Sequence, residues 1–336
     1  MAQVKQKQKL SKFAKVFRRL LIIFALLTAA LQASAQTVWH IQQRLMEIPH
    51  GQYSGITRLQ DDVYTVVHDK APGGGLFIFT IAQNADGTVG AVNVFQMDAD
   101  GPEGRDNEDV VFVPETETLF VSAEGDQSIR EYALDGKETG RQLSIPEDLK
   151  NIKSNSGFEA LAYAGGTFWA TTEEPIPGQE CNVIQSFSLE ILEPGDRFLY
   201  KADDPYTSQA NASKAAGFVH GISAMTVLPD GQLAVMEREV YVPGANSGLL
   251  QRLMGSFTRT KIYTVNPAEA QPGELLEKKL LTAFATSALS LANFEGMCLG
   301  PVLEDGGQTL LLIADSQDGK DGLTGEYLRV LAIYPQ

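Results

Sequence analysis

Five stretches of the sequence repeat one plan, and this repetition limits the possible fold more than any other feature. Each stretch runs from a small or acidic residue through an apolar strand, a turn and a second apolar strand to a charged residue. The stretches begin at Tyr53, Asn107, Phe158, Gly221 and Phe294. Between them lie further alternating or β-branched runs such as GLFIFTI and TKIYTV. Four strands per unit correspond to one blade of a β-propeller.

The repeats therefore predict an all-β chain folded as a single β-propeller over residues 36–336, with five four-stranded blades favoured and six left open. The segment TVWHIQQRLMEI precedes the first repeat and has no blade of its own. We expect it to close the ring by completing the last blade. The stretch Glu274–Leu291 is the one place after the N-terminal region where a short helix is expected.

The first 35 residues have the three parts of a secretory signal peptide. Seven basic residues precede an apolar run from Leu20 to Leu31, and Ala33-Ser34-Ala35 follows it. The run is shorter than the ~20 residues that span a bilayer, which argues against the alternative of a retained membrane helix. Cleavage after Ala35 predicts a periplasmic or secreted protein with no stable membrane anchor.

The charge of the chain limits its partners. Loss of the signal peptide removes seven basic residues and no acidic ones, so the formal charge falls from −15 to −22. Such a surface repels nucleic acid and anionic lipid. Solubility and cation binding both account for it. The two cysteines, Cys181 and Cys298, lie in different repeats, which favours free thiols over a disulfide.

Acidic residues recur at matching places in the repeats. In a propeller the first strand of each blade lines the central channel, so equivalent residues converge there. The equivalent position holds Ser54, Glu108, Glu159, Ser223 or its neighbour, and Glu295. The end of the second strand supplies Asp69, Glu124, Glu173, Glu237 and Asp315. Crowded carboxylates of this kind require a cation to remain ionised, and Ca²⁺ is the ion that accepts irregular oxygen ligands.

Two other interpretations of the acidic residues stay open. The first is that the acidic residues at the strand ends are merely solvated residues at the rim of a sheet and bind no metal. The loop Asp98–Gly101 leads to Asp106, Glu108 and Asp109 and forms a second acidic cluster. It lacks the EF-hand pattern, so it is at most a weak peripheral site.

The sequence contains neither a nucleophile elbow nor a phosphate-binding loop, and it lacks the common zinc spacings. His68 and His220 stand next to predicted channel strands and are candidate general bases, although a loop histidine without a chemical role is the commoner case. Arg238 follows Glu237 and is a candidate for bidentate binding of a phosphate or carboxylate.

The same residues resemble the family named for an esterase-like activity of phytase, from about Gly51 to the end of the chain. The matching motifs are Asp106-Asn107-Glu108 with Ser122-Ala123-Glu124, Gly157-Phe158-Glu159-Ala160-Leu161 with Thr172-Glu173-Glu174-Pro175, Met236-Glu237-Arg238, and Asn293-Phe294-Glu295-Gly296-Met297 with Leu299-Gly300-Pro301. The resemblance implies a propeller hydrolase of esters or phosphate esters that uses calcium. The chain departs from the family's pattern at Ser316-Gln317 and at Ser54.

These observations favour a Ca²⁺-dependent hydrolase of a small-molecule ester or phosphate ester, with the ion held by Glu108, Glu159 and Glu295. Arg238 would bind the anion, and His68 or His220 would move the proton. A non-catalytic, calcium-stabilised propeller that binds a ligand or partner is the first alternative, since a fold and a metal do not make an enzyme. A gluconolactonase-type lactonase is the second.

Overall fold

Five separate four-stranded sheets make up the computed structural model of the protein. The structure describes residues 36–71, 73–101, 105–150, 157–244, 247–287, 290–317 and 324–334. Residues Val38–Ile333 form one compact unit, and the other unit, Met1–Thr37 with Tyr334–Gln336, lies almost wholly outside the described residues. The predicted signal peptide lies there too.

Each sheet is one blade, and its strands follow the chain from the channel outwards. Blade 1 contains β2 (Tyr53–Gln60), β3 (Val63–His68), β4 (Leu76–Gln83) and β5 (Val89–Gln96). Blade 2 contains β6 (Asn107–Val113), β7 (Thr118–Ala123), β8 (Ser128–Ala133) and β9 (Glu138–Gln142). Blade 3 contains β10 (Phe158–Ala164), β11 (Thr167–Thr172), β12 (Asn182–Ser188) and β13 (Pro194–Tyr200). Blade 4 contains β14 (Gly217–Val227), β15 (Leu233–Val242), β16 (Phe257–Val265) and β17 (Lys278–Ser287).

Blade 5 closes the ring. It contains β18 (Asn293–Val302), β19 (Gln308–Asp315) and β20 (Tyr327–Tyr334), and its fourth strand is β1 (Thr37–Leu45) from the beginning of the chain. The predicted five-bladed propeller and the predicted closure by the segment before the first repeat are therefore confirmed. A sixth blade is not needed, because all five repeats and the N-terminal strand are used.

Most of the stretch Glu274–Leu291, where a short helix was expected, forms a strand in the described residues. This stretch holds β17, which pairs with β16 from Val265↔Lys278 to Phe257↔Ser287. Pairing with the neighbouring strand thus overrides the weak local helical preference of a segment that lies at the outer edge of its blade.

Short helices lie between the strands: α1 (Glu147–Lys150), α2 (Gln209–Ala212) and α3 (Leu249–Gly255). In the described part of the chain, every helix is too short or too polar to cross a membrane. Cys181 and Cys298 are both free thiols, as the sequence favoured.

The hydrophobic core is divided among the seams between blades. Each of the five buried clusters draws its residues from two neighbouring blades, as where Phe120 of blade 2 packs on Phe168 of blade 3. The inner strand of every blade contacts the inner strand of the next, so that the five inner strands surround the channel. A blade cannot bury its two faces alone, which is why the ring must close.

Candidate active site

The inner strand of every blade carries a β-bulge at the same place. Pairing shifts between Tyr53 and Ile56 in β2, and by one residue in β6, β10, β14 and β18. The residues inside these bulges are Ser54 with Gly55, Glu108, Glu159, Ser223 and Glu295. A bulge bends its strand and redirects a side chain. The five positions that the sequence marked as equivalent are thus equivalent in structure, for a reason that the sequence does not display.

The register also identifies the second set of equivalent residues. The residue before each bulge pairs with His68, Ala123, Thr172, Glu237 or Ala314. The next residue in each second strand is therefore Asp69, Glu124, Glu173, Arg238 or Asp315. In blade 4 the equivalent of the carboxylates is Arg238, whereas the sequence analysis assigned Glu237 to this set.

Glu237 lies on the opposite face of β15. Its carboxylate accepts hydrogen bonds from Tyr200 Oη at 2.6 Å and from the Asp203 backbone N–H at 3.0 Å, and it pairs with Lys278 Nζ at 2.7 Å. Neighbouring residues of a strand point to opposite faces, and Arg238 lines the cavity at the channel mouth whereas Glu237 does not. The predicted place of Glu237 at the channel mouth is corrected accordingly.

A cavity of about 340 Å³ opens at this end of the channel. The acidic residues that line it are Asp69, Asp106, Glu108, Glu124, Glu159, Glu173, Glu295 and Asp315. The basic residues that line it are Lys70, Arg238 and Arg252. Seven of the eight predicted carboxylates are therefore brought together, and negative charge exceeds positive charge.

Arg238 joins three of the blades at the centre of this cavity. Its side chain is only 5 % exposed. Nη2 lies 3.2 Å from Glu159 and 2.9 Å from Glu173, and Nη1 donates to Glu295 and, at 3.2 Å, to Asn293. The Asn293 amide also donates to Glu295 at 2.7 Å. The four Nη hydrogens of the guanidinium are thus all directed at protein oxygens.

A second group of carboxylates lies beside this cluster. One ligand oxygen each from Asp69, Asp106 and Glu108 falls within 4.8 Å of the others. Oxygens that bind one Ca²⁺ at about 2.3–2.6 Å are separated by no more than about 5 Å, so this spacing fits the ion. Asp69 Oδ1 is buried and has no hydrogen-bond partner among the described residues.

Lys70 places a positive charge next to this group. Its ammonium lies 2.8 Å from Asp69 and 3.6 Å from Asp106, while its side chain is 56 % exposed. The ammonium of Lys70 thus already lies beside these carboxylates. Because this side chain is exposed, it can move into solvent when a metal ion binds. Asp106 was assigned from the sequence only to a peripheral cluster. The sequence signal for the place of Asp106 in the cavity was its position two residues before Glu108.

Burial and mutual repulsion oppose ionisation in the cavity. Burial, followed by the charge of Glu159, raises the pKa of Glu108 well above its ordinary value. Burial and Glu173 raise the pKa of Glu159 well above its ordinary value, although Arg238 opposes the change. Burial and the adjacent Asp106 raise the pKa of Asp69 to about 7. A cation bound in the cavity would therefore stabilise the ionised form of these carboxylates.

Two further carboxylates of the cavity are held by backbone donors. Gly157 N–H donates to Glu124 Oε1 at 2.6 Å, yet burial still raises the pKa of Glu124. Gln317 N–H donates to Asp315 Oδ1 at 2.6 Å, and burial together with Glu295 raises the pKa of Asp315 well above its ordinary value. Gln317, one of the three residues that depart from the family's pattern, itself lines the cavity.

The two candidate histidines lie elsewhere. His68 stacks on Phe77 in a separate groove, and its ring nitrogens lie 3.1 Å and 3.2 Å from the backbone N–H groups of Gln52 and Lys70. His220 pairs with Glu239 on the face of blade 4 that also holds Glu237, and it lines a smaller cavity there. The sequence placed both near the channel mouth because it could not show which face each would take.

The chain was compared with curated proteins, solved structures and protein families. No curated protein matches the chain significantly. Similar solved structures include a streptogramin B lyase, with 10% identity over 89% of this chain and 98% of that chain and a TM-score of 0.39. A periplasmic gluconolactonase of Pseudomonas aeruginosa has 16% identity over 81% of this chain and 70% of its own, with a TM-score of 0.36.

A putative 6-phosphogluconolactonase of Bacteroides uniformis has 16% identity, covers 76% of this chain and 61% of its own, and has a TM-score of 0.34. The family model described as phytase-like, esterase-like activity of phytase, matches residues 48–317. This segment contains the inner hairpin of all five blades and every carboxylate of the cavity. The chain therefore belongs to the phytase-like family, which is described by an esterase-like activity of phytase.

Proposed function

We propose that the protein is an exported, Ca²⁺-dependent hydrolase of small ester or phosphate-ester substrates that acts in the carboxylate-lined cavity. The observation that carries the proposal is the grouping of Asp69, Asp106 and Glu108, whose oxygens lie within 4.8 Å of one another at a cavity of small-molecule size. Membership of a family described by esterase-like activity supports ester hydrolysis.

Asp69, Asp106 and Glu108 are the residues that would hold the ion. The sequence had favoured Glu108 with Glu159 and Glu295, but the latter two are paired with Arg238. A bound Ca²⁺ would polarise an ester oxygen and lower the pKa of a nearby water. The three carboxylates would supply hard oxygen ligands, and Asp69 Oδ1, which is buried and has no hydrogen-bond partner among the described residues, would be available to the ion.

We assign proton transfer to Glu124. It lines the cavity, the Gly157 N–H fixes its carboxylate through Oε1, and burial raises its pKa, which makes the carboxylate a stronger base. Oε2 would accept the proton of the attacking water. In the described part of the chain neither His68 nor His220 lines this cavity, so neither is assigned the step.

Arg238 organises the site instead of binding the substrate. Its Nη hydrogens are engaged by Glu159, Glu173, Glu295 and Asn293, which removes the donors that a phosphate would use. An acidic cavity whose central arginine is engaged favours an uncharged ester or lactone over a phosphate ester, unless the cation carries the phosphate. A lactonase is therefore the second candidate function.

The test compares p-nitrophenyl acetate, p-nitrophenyl phosphate and a simple δ-lactone, each with Ca²⁺ and with a chelator. We expect Ca²⁺-dependent turnover, with the uncharged substrates preferred. Asp69→Asn and Glu108→Gln keep shape but lose charge, and each should lower kcat/KM by at least about tenfold, the loss that even an outer-shell partner of a metal commonly causes.

Asp98→Asn is the matched control, because Asp98 is fully exposed and is not one of the residues that line the cavity. It should hydrolyse all three substrates as fast as the parent. Absence of turnover of every substrate by folded parent protein with Ca²⁺ would reject the hydrolase and favour a ligand-binding propeller.

A further inference from the structure

The inner hairpin of blade 4 is longer than those of its neighbours. In blades 1, 2 and 3 the pairing of the first two strands ends immediately beyond the bulge, at Tyr53↔His68, Asn107↔Ala123 and Phe158↔Thr172. In blade 4 it continues from Ile222↔Glu237 through five further pairs to Gly217↔Val242. The hairpin of β14 and β15 therefore projects past the channel mouth as a wall.

The two faces of this wall differ in character. Cross-strand partners of an antiparallel pair share a face, so Val219 with Val240, and Gly217 with Val242, lie on the side of Arg238. His220 and Glu239 lie on the other side. Glu239 is buried there because its carboxylate accepts the backbone N–H groups of Tyr206 at 2.7 Å and Thr207 at 2.8 Å.

The apolar face is turned to the cavity. Val219, Val240 and Val242 are only partly buried and line the cavity, and Leu291, from the segment before β18, lies behind this lining and is itself buried. Within the described residues, the same cavity of about 340 Å³ thus has one apolar side and one side of carboxylates. The exposed apolar surface of these valines is unfavourable in water, and a ligand that covered it would lower the free energy.

We propose that the substrate carries an apolar acyl or aryl group next to its ester bond, and that Val219, Val240 and Val242 bind that group. The inference rests on the proposed function, which places the ester bond at the carboxylates. It narrows the substrate class to esters of hydrophobic acids or alcohols. A substrate made only of charged and hydroxyl groups would leave the wall uncovered.

The test separates binding from turnover. Hydrolysis-resistant p-nitroanilides of acetic, butyric and hexanoic acid are titrated into the full chain with Ca²⁺ by calorimetry. We expect affinity to rise about two- to fourfold for each added methylene, the gain that partial to full burial of such a group provides. The matching p-nitrophenyl esters should show the same trend in kcat/KM.

The variant Val240→Thr/Val242→Thr keeps side-chain shape and strand preference but makes the wall polar. It should flatten the dependence on chain length, as should Val219→Thr if the double variant fails to fold. Val227→Thr is the matched control, since Val227 is also half-buried but lies at the other end of β14. It should keep the parent's slope.

A flat series in the parent, or a slope that the folded wall variants retain, would overturn the inference. A rising anilide series that the wall variants flatten, together with no hydrolysis of any ester, would uphold the wall and reject the hydrolase. The two proposals therefore fail by different results.

Discussion

Arg238 is the residue on which the charge balance of the site depends most. It is buried among Glu159, Glu173 and Glu295, at the position that a carboxylate occupies in four of the five blades. Gly221, its cross-strand partner, has no room for a side chain, because a Cβ there would lie 2.5 Å from the Glu173 carbonyl oxygen. This close approach lets the arginine of blade 4 reach the acids of blades 3 and 5.

Replacement of Arg238 by Met should lower the free energy of unfolding by about 3–5 kcal/mol at neutral pH without metal, because buried carboxylates lose their counter-ion. Urea denaturation in chelator measures the change. Addition of Glu159→Gln to the variant should recover part of the loss.

The control is Lys150→Met, which removes an exposed pair with Glu147 and should cost no more than about 1 kcal/mol. A loss below about 1 kcal/mol in Arg238→Met would show that the carboxylates around it are not charged, since paired buried charges cannot be separated so cheaply.

The raised carboxyl pKa values predict how stability without metal depends on pH. A carboxyl whose pKa is higher in the folded than in the unfolded protein stabilises the fold below its unfolded pKa, and this contribution disappears as pH rises through the folded pKa. For Asp69 the window runs from about 4 to about 7, and the raised pKa values of Glu108 and Glu159 act in the same direction. In chelator we expect a higher Tm near pH 5 than near pH 7.5.

General charge repulsion has the same sign, so variants must separate the two causes. Glu108→Gln should flatten the dependence of Tm on pH, whereas Asp98→Asn removes one exposed charge and should leave it almost unchanged. Equal slopes in both variants would attribute the effect to net charge and not to the cavity.

At the scale of elements, the seam between blade 5 and blade 1 differs from the others, because blade 5 combines the first strand of the propeller, β1, with its last three strands. β1 supplies the outer strand of that blade, and Arg44 at its end donates to the carbonyl oxygens of Val89, at 2.8 Å, and Gly90 in β5 of blade 1. The guanidinium of Arg44 thus links β1, the strand that closes the ring, to blade 1.

Arg44→Met should lower the free energy of unfolding by about 1.5–3 kcal/mol, the range for hydrogen bonds to a charged group. Chemical denaturation measures it. Arg58→Met is the control, since the Arg58 side chain donates to Asp61 O within one hairpin of blade 1 and should cost about 0.5 kcal/mol or less. Equal effects of the two variants would contradict a special role of the closing strand.

At the scale of the whole molecule, a cation at the mouth would hold neighbouring blades together, because Asp69 follows β3 of blade 1 while Asp106 and Glu108 belong to blade 2. Ca²⁺ should therefore raise the Tm of the intact propeller, and a chelator should lower it, since a ligand that binds only the folded state stabilises by mass action. Thermal unfolding with and without Ca²⁺ measures this.

Mg²⁺ at equal concentration serves as the control for ionic strength and should raise the Tm less, because it demands smaller and more regular coordination. An unchanged Tm in Ca²⁺ would contradict a metal site at these carboxylates.

Export is likewise a property of the whole chain, and we propose it from the basic, apolar and Ala33-Ser34-Ala35 segments. N-terminal sequencing of the protein from the periplasm or medium should begin at or near Gln36. Recovery of the chain from the membrane fraction with Met1 retained would contradict the proposal.

The repeat alone was enough to predict the propeller, to favour five blades over six and to predict the closing role of the segment before Tyr53. Each unit has two apolar faces that only neighbouring units can cover. The apolar residues of the strands and the regular spacing of the repeats show this requirement in the sequence. The same argument placed Glu108, Glu159 and Glu295 at equivalent positions, because the repeats could be aligned on their apolar strands.

Tertiary structure decided which side chains reach the cavity. A shift of one residue in strand register moves a side chain to the opposite face, and register depends on pairing with a neighbour that the sequence does not identify. For this reason Arg238 and not Glu237 lies among the acids, and Asp106 joins Asp69. The wall of Val219, Val240 and Val242 likewise exists only because β14 and β15 continue to pair beyond their bulge.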